Sequence, residues 1–104
     1  MKSGEQNGEN TWSEWIDFDQ TSITKADIPN LPGVFKVHAS MKILYIGSST
    51  GLRRSLLESL SEPCIGKARR FSYLVTEESE QVKDQLLKEY RENHGGDMPG
   101  CMDK

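Results

Sequence analysis

Two histidines and two cysteines of this 104-residue chain could in principle bind zinc: His38, Cys64, His94 and Cys101. Structural zinc sites are usually built from close pairs such as Cys-x-x-Cys or His-x-x-x-His, and these residues form no such pair. They also show no spacing typical of a Ser-His-Asp or Cys-His nucleophile set. We therefore predict no metal site, and two reduced thiols rather than a disulfide, in a cytoplasmic protein.

A glycine-rich turn before a predicted helix could meet a phosphate group. The segment is Gly47-Ser48-Ser49-Thr50-Gly51. Free N–H groups at a helix N-terminus attract anions, so contact with a nucleic-acid phosphate stays open. The turn lacks the Gly-Lys-Ser/Thr ending of a P-loop, and nucleotide hydrolysis is therefore not expected.

The charge of the chain is unevenly distributed. The net charge is −3, which by itself argues against a dedicated nucleic-acid binder. Residues 32–74, however, carry seven basic and two acidic side chains, whereas each flanking segment carries a net charge of −4. Such asymmetry can indicate an anionic partner, although ordinary surface charge explains it equally well. The basic residues, which are the candidates for nucleic-acid binding on or beside one face of the domain, are Lys36, Lys42, Arg53, Arg54, Lys67, Arg69 and Arg70.

The elements that would position these residues follow from hydrophobic periodicity. Residues 34–39 and 42–46 alternate as two strands with a short connection, which predicts an antiparallel hairpin. A leucine stripe then predicts an amphipathic helix before Pro63, and residues 71–75 read as a third strand. A second apolar stripe predicts a last helix that ends at Gly95-Gly96. The two stripes are Leu52, Leu56, Leu57, Leu60 and Val82, Leu86, Leu87, Tyr90. We expect Leu56 and Leu86 both to be buried against the sheet.

The N-terminal segment differs in composition from the rest of the chain. Residues 1–10 are polar and without periodicity, which predicts a disordered tail, and they contain no apolar signal region. Trp12 and Trp15 follow closely and are expected to be largely buried, so we place a single domain at 11–104. No apolar run approaches the ~20 residues of a membrane span, and no membrane partner is expected. The predicted fold class is α/β (α+β), with a three-stranded sheet that contains an antiparallel hairpin and is flanked by helices.

Two short motifs carry a resemblance to a known family. Pro32 and the strand Gly33-Val34-Phe35 come ten residues before Tyr45-Ile46-Gly47. This pattern resembles the two-part signature of the GIY-YIG nuclease superfamily, in which both motifs lie in a hairpin and a helix follows. The resemblance covers about residues 28–102. It extends to the end of the chain, where His94-Gly95 leads to Pro99 and Cys101 as in one subgroup of that family.

The resemblance implies a chemistry that this chain matches only in part. In the family, a metal-bound or tyrosine-activated water attacks a phosphodiester, and an arginine on the next helix stabilises the developing charge. Tyr45 matches the tyrosine of the second motif, whereas Phe35 replaces that of the first. The arginine position falls on Ser55, directly after Arg53 and Arg54. Tyr45 and Arg54 are thus the remaining catalytic candidates.

The family's metal ligand is also unmatched. A glutamate on the last helix holds one divalent metal, and the corresponding position here is Lys83. Asp84 is adjacent but faces another side of the helix, because one residue turns a helix by about 100°. The asparagine expected in the tail falls on Met102. The resemblance therefore implies a GIY-YIG scaffold without its catalytic centre.

Three functions remain open. The favoured one is a non-catalytic GIY-YIG-like domain that binds nucleic acid or a protein partner and needs no cofactor. Its binding to DNA or RNA would be weak and salt-dependent, since phosphate contacts would dominate. The second is an active endonuclease that uses Mg²⁺, Arg54 and a displaced acid, Asp84 or Glu80. The third is a structural or protein-interaction module with no nucleic-acid role.

Overall fold

The computed structural model describes residues 12–39 and 42–102, so the tail predicted at 1–10 lies outside the described residues. The regular elements are, in chain order, β1 (Ile16–Asp17), α1 (Gln20–Lys25), β2 (Gly33–Ala39), β3 (Lys42–Ser49), α2 (Leu52–Ser59), β4 (Arg70–Val75) and α3 (Ser79–Asn93). Short 3₁₀ turns lie at Ile65–Lys67 and Gly100–Met102. In these two stretches of chain, no helix has the length and apolar character needed to cross a membrane.

The strands form one antiparallel sheet in the order β1-β4-β2-β3. The predicted hairpin is confirmed: β2 and β3 pair from Gly33 with Ser49 to Ala39 with Lys42, with an irregularity after Val37. The sheet has four strands rather than the predicted three, because Ile16 and Asp17 pair with Phe71 and Arg70 of β4. A strand of two residues is too short to show an alternating pattern in the sequence. It is recognised only from its pairing with β4.

One face of the sheet carries the hydrophobic core. Phe35, Val37 and Phe71 project from the strands into a cluster with α1 and α2, in which Leu52 and Leu56 are fully buried. Successive strand residues point to opposite faces, so Val34 lies outside this cluster, together with the buried Ile46 and Leu74. The helix α3 packs against β2 and β3 and has no fully buried residue.

Two predictions about burial are therefore wrong. Leu56 is buried as predicted, but Leu86 is only half-buried, because α3 lies on the sheet without a further layer to cover it. Trp15 was expected to be largely buried but is 43% exposed, whereas Trp12 is half-buried. They lie against the sheet surface instead, where the Lys36 ammonium stands 4.3 Å from the Trp12 ring centroid.

The N-terminal helix α1 was not predicted. Asp19 caps it, since its Oδ1 accepts a hydrogen bond of 2.7 Å from the Ser22 N–H. This satisfies one of the N–H groups that a helix start leaves free. The helix places Ile23, which is fully buried, in the core beside Phe18.

The expectation of two reduced thiols is also wrong, because Cys64 and Cys101 form a disulfide with a Cα–Cα distance of 5.8 Å. The path of the C-terminal tail brings them together. Gly95 and Gly96 have φ values of 65° and 95° and end α3 as predicted, and the chain then turns back. Pro99 is buried, which places the tail beside β3 and Cys101 beside the loop after α2.

Candidate functional site

A cleft of about 520 Å³ opens between the hairpin, α2, the loop after α2 and the C-terminal tail. Phe35 and Tyr45 reach it from the hairpin, and Ser55 and Ser59 reach it from α2. The remaining walls are Ser48, Glu58, Glu62, Pro63, Cys64, Ile65 and Cys101. The cleft thus collects residues that lie far apart in sequence, including both parts of the GIY-YIG-like motif.

Pairing of the two strands brings the motif residues together. Phe35 stands opposite Gly47, and the Phe35 and Tyr45 rings lie with their centroids 5.8 Å apart. The Tyr45 ring lies over Gly47: a Cβ on that glycine would stand 3.1 Å from the tyrosine Cζ and Oη, and closer still to Cε2. Glycine at this position therefore lets the phenol lie against its own strand, at the floor of the cleft. Ile46, between them, is buried on the opposite face.

Ser55 lines the cleft at the position where the resemblance expects an arginine. Its hydroxyl lies 2.5 Å from that of Ser49, which also accepts a hydrogen bond from the Gly51 N–H. One turn later, the Ser59 hydroxyl donates to the Ser55 carbonyl oxygen at 2.8 Å. This wall of the cleft is consequently a network of neutral hydroxyl groups.

Arg54 does not line the cleft. Its side chain is 79% exposed, and its Nε lies 3.5 Å from the Glu58 carboxylate, one turn along α2. Arg53, before it, is also exposed. The catalytic candidate named from the sequence therefore points to solvent, whereas Tyr45, the other candidate, does lie in the cleft.

The position expected for a metal ligand carries an ion pair. The Lys83 ammonium lies 3.3 Å from the Glu80 carboxylate. The other oxygen of Glu80 accepts a hydrogen bond of 2.7 Å from the hydroxyl of Ser48, a cleft residue. The hydrogen bond from Ser48, followed by the hydrogen bond and charge of Lys83, lowers the pKa of Glu80. Asp84 is exposed, and Met102 is half-buried in the last 3₁₀ turn.

The electrostatics of the cleft differ from those of a phosphate-binding site. Glu58 and Glu62 are the charged residues among its described walls, and no Lys or Arg belongs to them. Across residues 12–39 and 42–102, no group of three or more His, Cys, Asp or Glu side chains is arranged to hold a metal ion. The arrangement can bind through hydroxyl groups, two carboxylates and two aromatic rings.

The seven basic residues do not form a single surface. Lys42, Arg69 and Arg70 lie at the end of the sheet where β2 ends and β3 begins, and Lys67 lies two residues before Arg69 in the chain. We call these four residues the turn-end cluster. Arg53 and Arg54 begin α2 at the opposite end of the sheet. Lys36 is half-buried in mid-sheet beside the tryptophans, and its burial lowers the pKa of its ammonium.

The turn-end cluster has neighbours of mixed character. Arg70 lies 3.7 Å from the Asp17 carboxylate, and both line a shallow pocket with Asp19, His38 and Arg69. The His38 ring contacts Trp15 edge to face at a centroid distance of 4.1 Å. An exposed indole therefore lies next to the basic end of the sheet.

Sequence reasoning missed the acidic side of the cleft and its disulfide. Ser55, Glu58 and Ser59 are spaced three and four residues apart, which places them on one face of α2, and Glu62 follows in the loop after the helix. The helical spacing could have found Glu58. The pairing of Cys64 with Cys101 had no comparable signal, because the two residues are 37 positions apart.

Comparison with family models, with curated proteins and with solved structures finds no match for this chain. The fold defines a small α+β domain with a four-stranded antiparallel sheet. The GIY-YIG resemblance rests on the motif residues and the order of the elements.

Proposed function

We propose that this chain is a non-catalytic GIY-YIG-like domain that binds nucleic acid at the turn-end cluster and does not cleave it. The observation that carries the proposal is Ser55, a neutral residue held in a hydroxyl network where the resemblance expects the catalytic arginine. The described walls of the cleft carry no lysine or arginine, so no cation stands where the resemblance expects one.

The missing arginine has a large expected effect. A positioned arginine that acts on a phosphoryl group contributes roughly 10³–10⁵ in rate, which corresponds to about 4–7 kcal/mol of transition-state stabilisation. Arg54 would have to leave the solvent and its partner Glu58 and turn by about 100° around α2 to supply it. Glu58 and Glu62 also raise the cost of bringing a phosphodiester into the cleft.

One observation favours an active metal-dependent endonuclease as a second candidate. The hydrogen bond from Ser48 holds the Glu80 carboxylate beside the motif strand, where a displaced acid could bind Mg²⁺. Lys83 argues against it, because its ammonium already pairs with that carboxylate and repels a divalent cation.

The basic end of the sheet supports the binding part of the proposal. The four basic side chains of the turn-end cluster are all exposed, and they outnumber the nearby carboxylates of Asp17 and Asp19. Trp15 exposes 43% of its surface beside them and offers a stacking surface for a base. Lysine and arginine next to an aromatic ring are typical of surfaces that bind single strands with little sequence preference.

Cleavage is tested by incubating the protein with supercoiled plasmid and with single-stranded DNA and RNA in the presence of Mg²⁺ or Mn²⁺. We expect no hydrolysis above background. Nicking that depends on the metal and is lost in both Tyr45→Phe and Glu80→Gln would contradict the proposal and establish the second candidate.

Binding is tested by fluorescence anisotropy with labelled DNA and RNA over a series of salt concentrations. We expect Arg69→Ala with Arg70→Ala to weaken binding to all sequences alike and to reduce the salt slope by about 1.4 for a single strand, because two phosphate contacts are lost. The matched control, Arg53→Ala with Arg54→Ala, removes the same charge at the opposite end of the sheet and should change binding much less. An absence of binding at ~50 mM salt would refute the nucleic-acid proposal and favour a protein partner.

A further inference from the structure

The disulfide forms part of the wall of the cleft. Cys64 and Cys101 both line it, across from Tyr45 and Ser55. Cys64 is exposed and ends an exposed stretch of loop, residues 61–64, whereas Cys101 is half-buried in the last 3₁₀ turn. The bond thus joins one exposed residue to one half-buried residue.

The fold does not depend on this bond for its core. Neither cysteine belongs to the hydrophobic cluster, which is built from the sheet, α1 and α2. The tail also has anchors of its own: Pro99 is fully buried, and Gly100 lies against Leu44 of β3. Breaking the bond would therefore release the exposed loop at residues 61–64 from the tail and leave the sheet and the buried Pro99 in place.

We propose that Cys64–Cys101 is a site of reversible thiol–disulfide exchange with a dithiol reductant, and that its redox state controls access to the cleft. Disulfides in a reducing compartment, such as the cytoplasm expected from the sequence, are mostly transient, catalytic or redox-sensing. An exposed bond outside the core is the kind that exchanges readily, whereas structural disulfides resist reduction.

The exchange proceeds in two steps. A thiolate of the dithiol attacks Sγ of Cys64, forms a mixed disulfide with it and releases Cys101 as a thiolate, which takes up a proton. The second thiolate of the reductant then attacks the other sulfur of the reductant, which is bonded to Cys64 in the mixed disulfide. Cys64 is released as a thiolate, which also takes up a proton. The protein gains two electrons and two protons, and the reductant leaves as a disulfide.

Reduction separates two segments that the bond joins across the cleft. The loop at residues 61–64 and the tail at 97–102 are then no longer joined by a covalent bond. The cleft that Tyr45 lines loses this covalent link in its wall. The inference is independent of the nucleic-acid proposal, because it rests on the placement of the bond and not on what the cleft binds.

The first experiment asks whether a dithiol reaches the bond in the native protein. The oxidised full chain is incubated with dithiothreitol without denaturant, quenched with acid and alkylated, and the thiols are counted by mass spectrometry over time. The comparison variant, Ile23→Ala, alters the core at a residue that does not line the cleft and should raise the unfolded fraction roughly 30-fold or more; Ile23→Val serves as a milder variant. We expect the reduction rate to change by less than about twofold in either variant and to be flat in dilute urea. A rate that rises in step with the unfolded fraction would overturn the proposal.

The second experiment asks what reduction changes. Hydrogen exchange is measured for the oxidised and reduced wild type and for Cys64→Ser with Cys101→Ser. We expect faster exchange after reduction in residues 61–67 and 95–102, with β2 and β4 unchanged, and we expect the double variant to match the reduced protein under both conditions. Faster exchange throughout the sheet would show that the bond is structural and would overturn the proposal, as would no change at all.

Discussion

Replacing the motif glycines by alanine should destabilise the domain by different amounts, because the two glycines make room for different neighbours. A Cβ on Gly33 would stand 2.6 Å from Cδ1 of Leu52 and closer still to the carbonyl oxygen of Leu74. That oxygen belongs to the backbone of β4, which is held between β1 and β2 in the sheet. It cannot move away without breaking strand pairing.

A Cβ on Gly47 would meet the ring of Tyr45 instead. The ring is only half-buried and borders an open cleft, so it can turn toward solvent. Overpacking of a core costs typically about 1–3 kcal/mol, and a change from glycine to alanine in an unstrained position returns about 0.4–1 kcal/mol through the unfolded state. We therefore expect Gly47→Ala to cost about 1 kcal/mol and Gly33→Ala to cost about 3 kcal/mol or more.

Urea unfolding of the oxidised protein measures both free energies. Each alanine is also made in a Tyr45→Ala background, which removes the ring but leaves the backbone of β4 in place. The cost of Gly47→Ala should largely disappear there, and the cost of Gly33→Ala should not change, because neighbouring groups couple and separate ones do not. Equal costs at the two glycines, or a cost at Gly47 that survives the loss of the ring, would refute the reasoning.

Two further predictions concern α2 and α3. Leu56→Ala should lower the free energy of unfolding by about 2–5 kcal/mol, and Leu86→Ala by clearly less, because only Leu56 is fully buried; urea unfolding measures both. The pKa of Glu80 lies below its ordinary value of 4.5, mainly because of the hydrogen bond from Ser48 and then because of Lys83. The ionised carboxylate therefore stabilises the fold above pH 4.5, and this stabilisation is lost as the pH falls through the lowered pKa. Glu80→Gln should therefore lower the free energy of unfolding near neutral pH and reduce the loss of that free energy as the pH falls. If the dependence of the free energy of unfolding on acid pH is unchanged, the carboxylate has no such role.

Local patterns in the sequence were enough for most of the fold. The hairpin, α2, β4 and α3 follow from alternation, leucine stripes and a glycine pair, all of which act within a few residues. The two elements that were missed need more than periodicity. β1 exists only because Ile16 meets Phe71 across the sheet, and α1 has six residues and a capping signal, Asp19 three positions before Ser22, that is easy to overlook.

The candidate site was predictable in its parts but not in its surroundings. The motif pattern placed Tyr45 and Ser55 together, and the structure brings both to the cleft. The exposure of Arg54 and the pairing of Lys83 with Glu80 depend on side-chain directions that spacing alone does not give. The split of the basic residues between the two ends of the sheet is likewise a property of the strand order and not of the composition.

The strand order also determines when the sheet can be completed during synthesis. The last strand of the chain, β4, occupies an interior position between β1 and β2. The hairpin of β2 and β3 can form as soon as it leaves the ribosome, since its contacts are local. Residues 16 and 17, by contrast, have no strand to pair with until residues 70 and 71 have been made, so their pairing must wait for more than half of the chain. Docking of this segment should accordingly be among the last steps of folding, and a ribosome-bound fragment that ends before β4 should leave Ile16 and Asp17 without a strand to pair with.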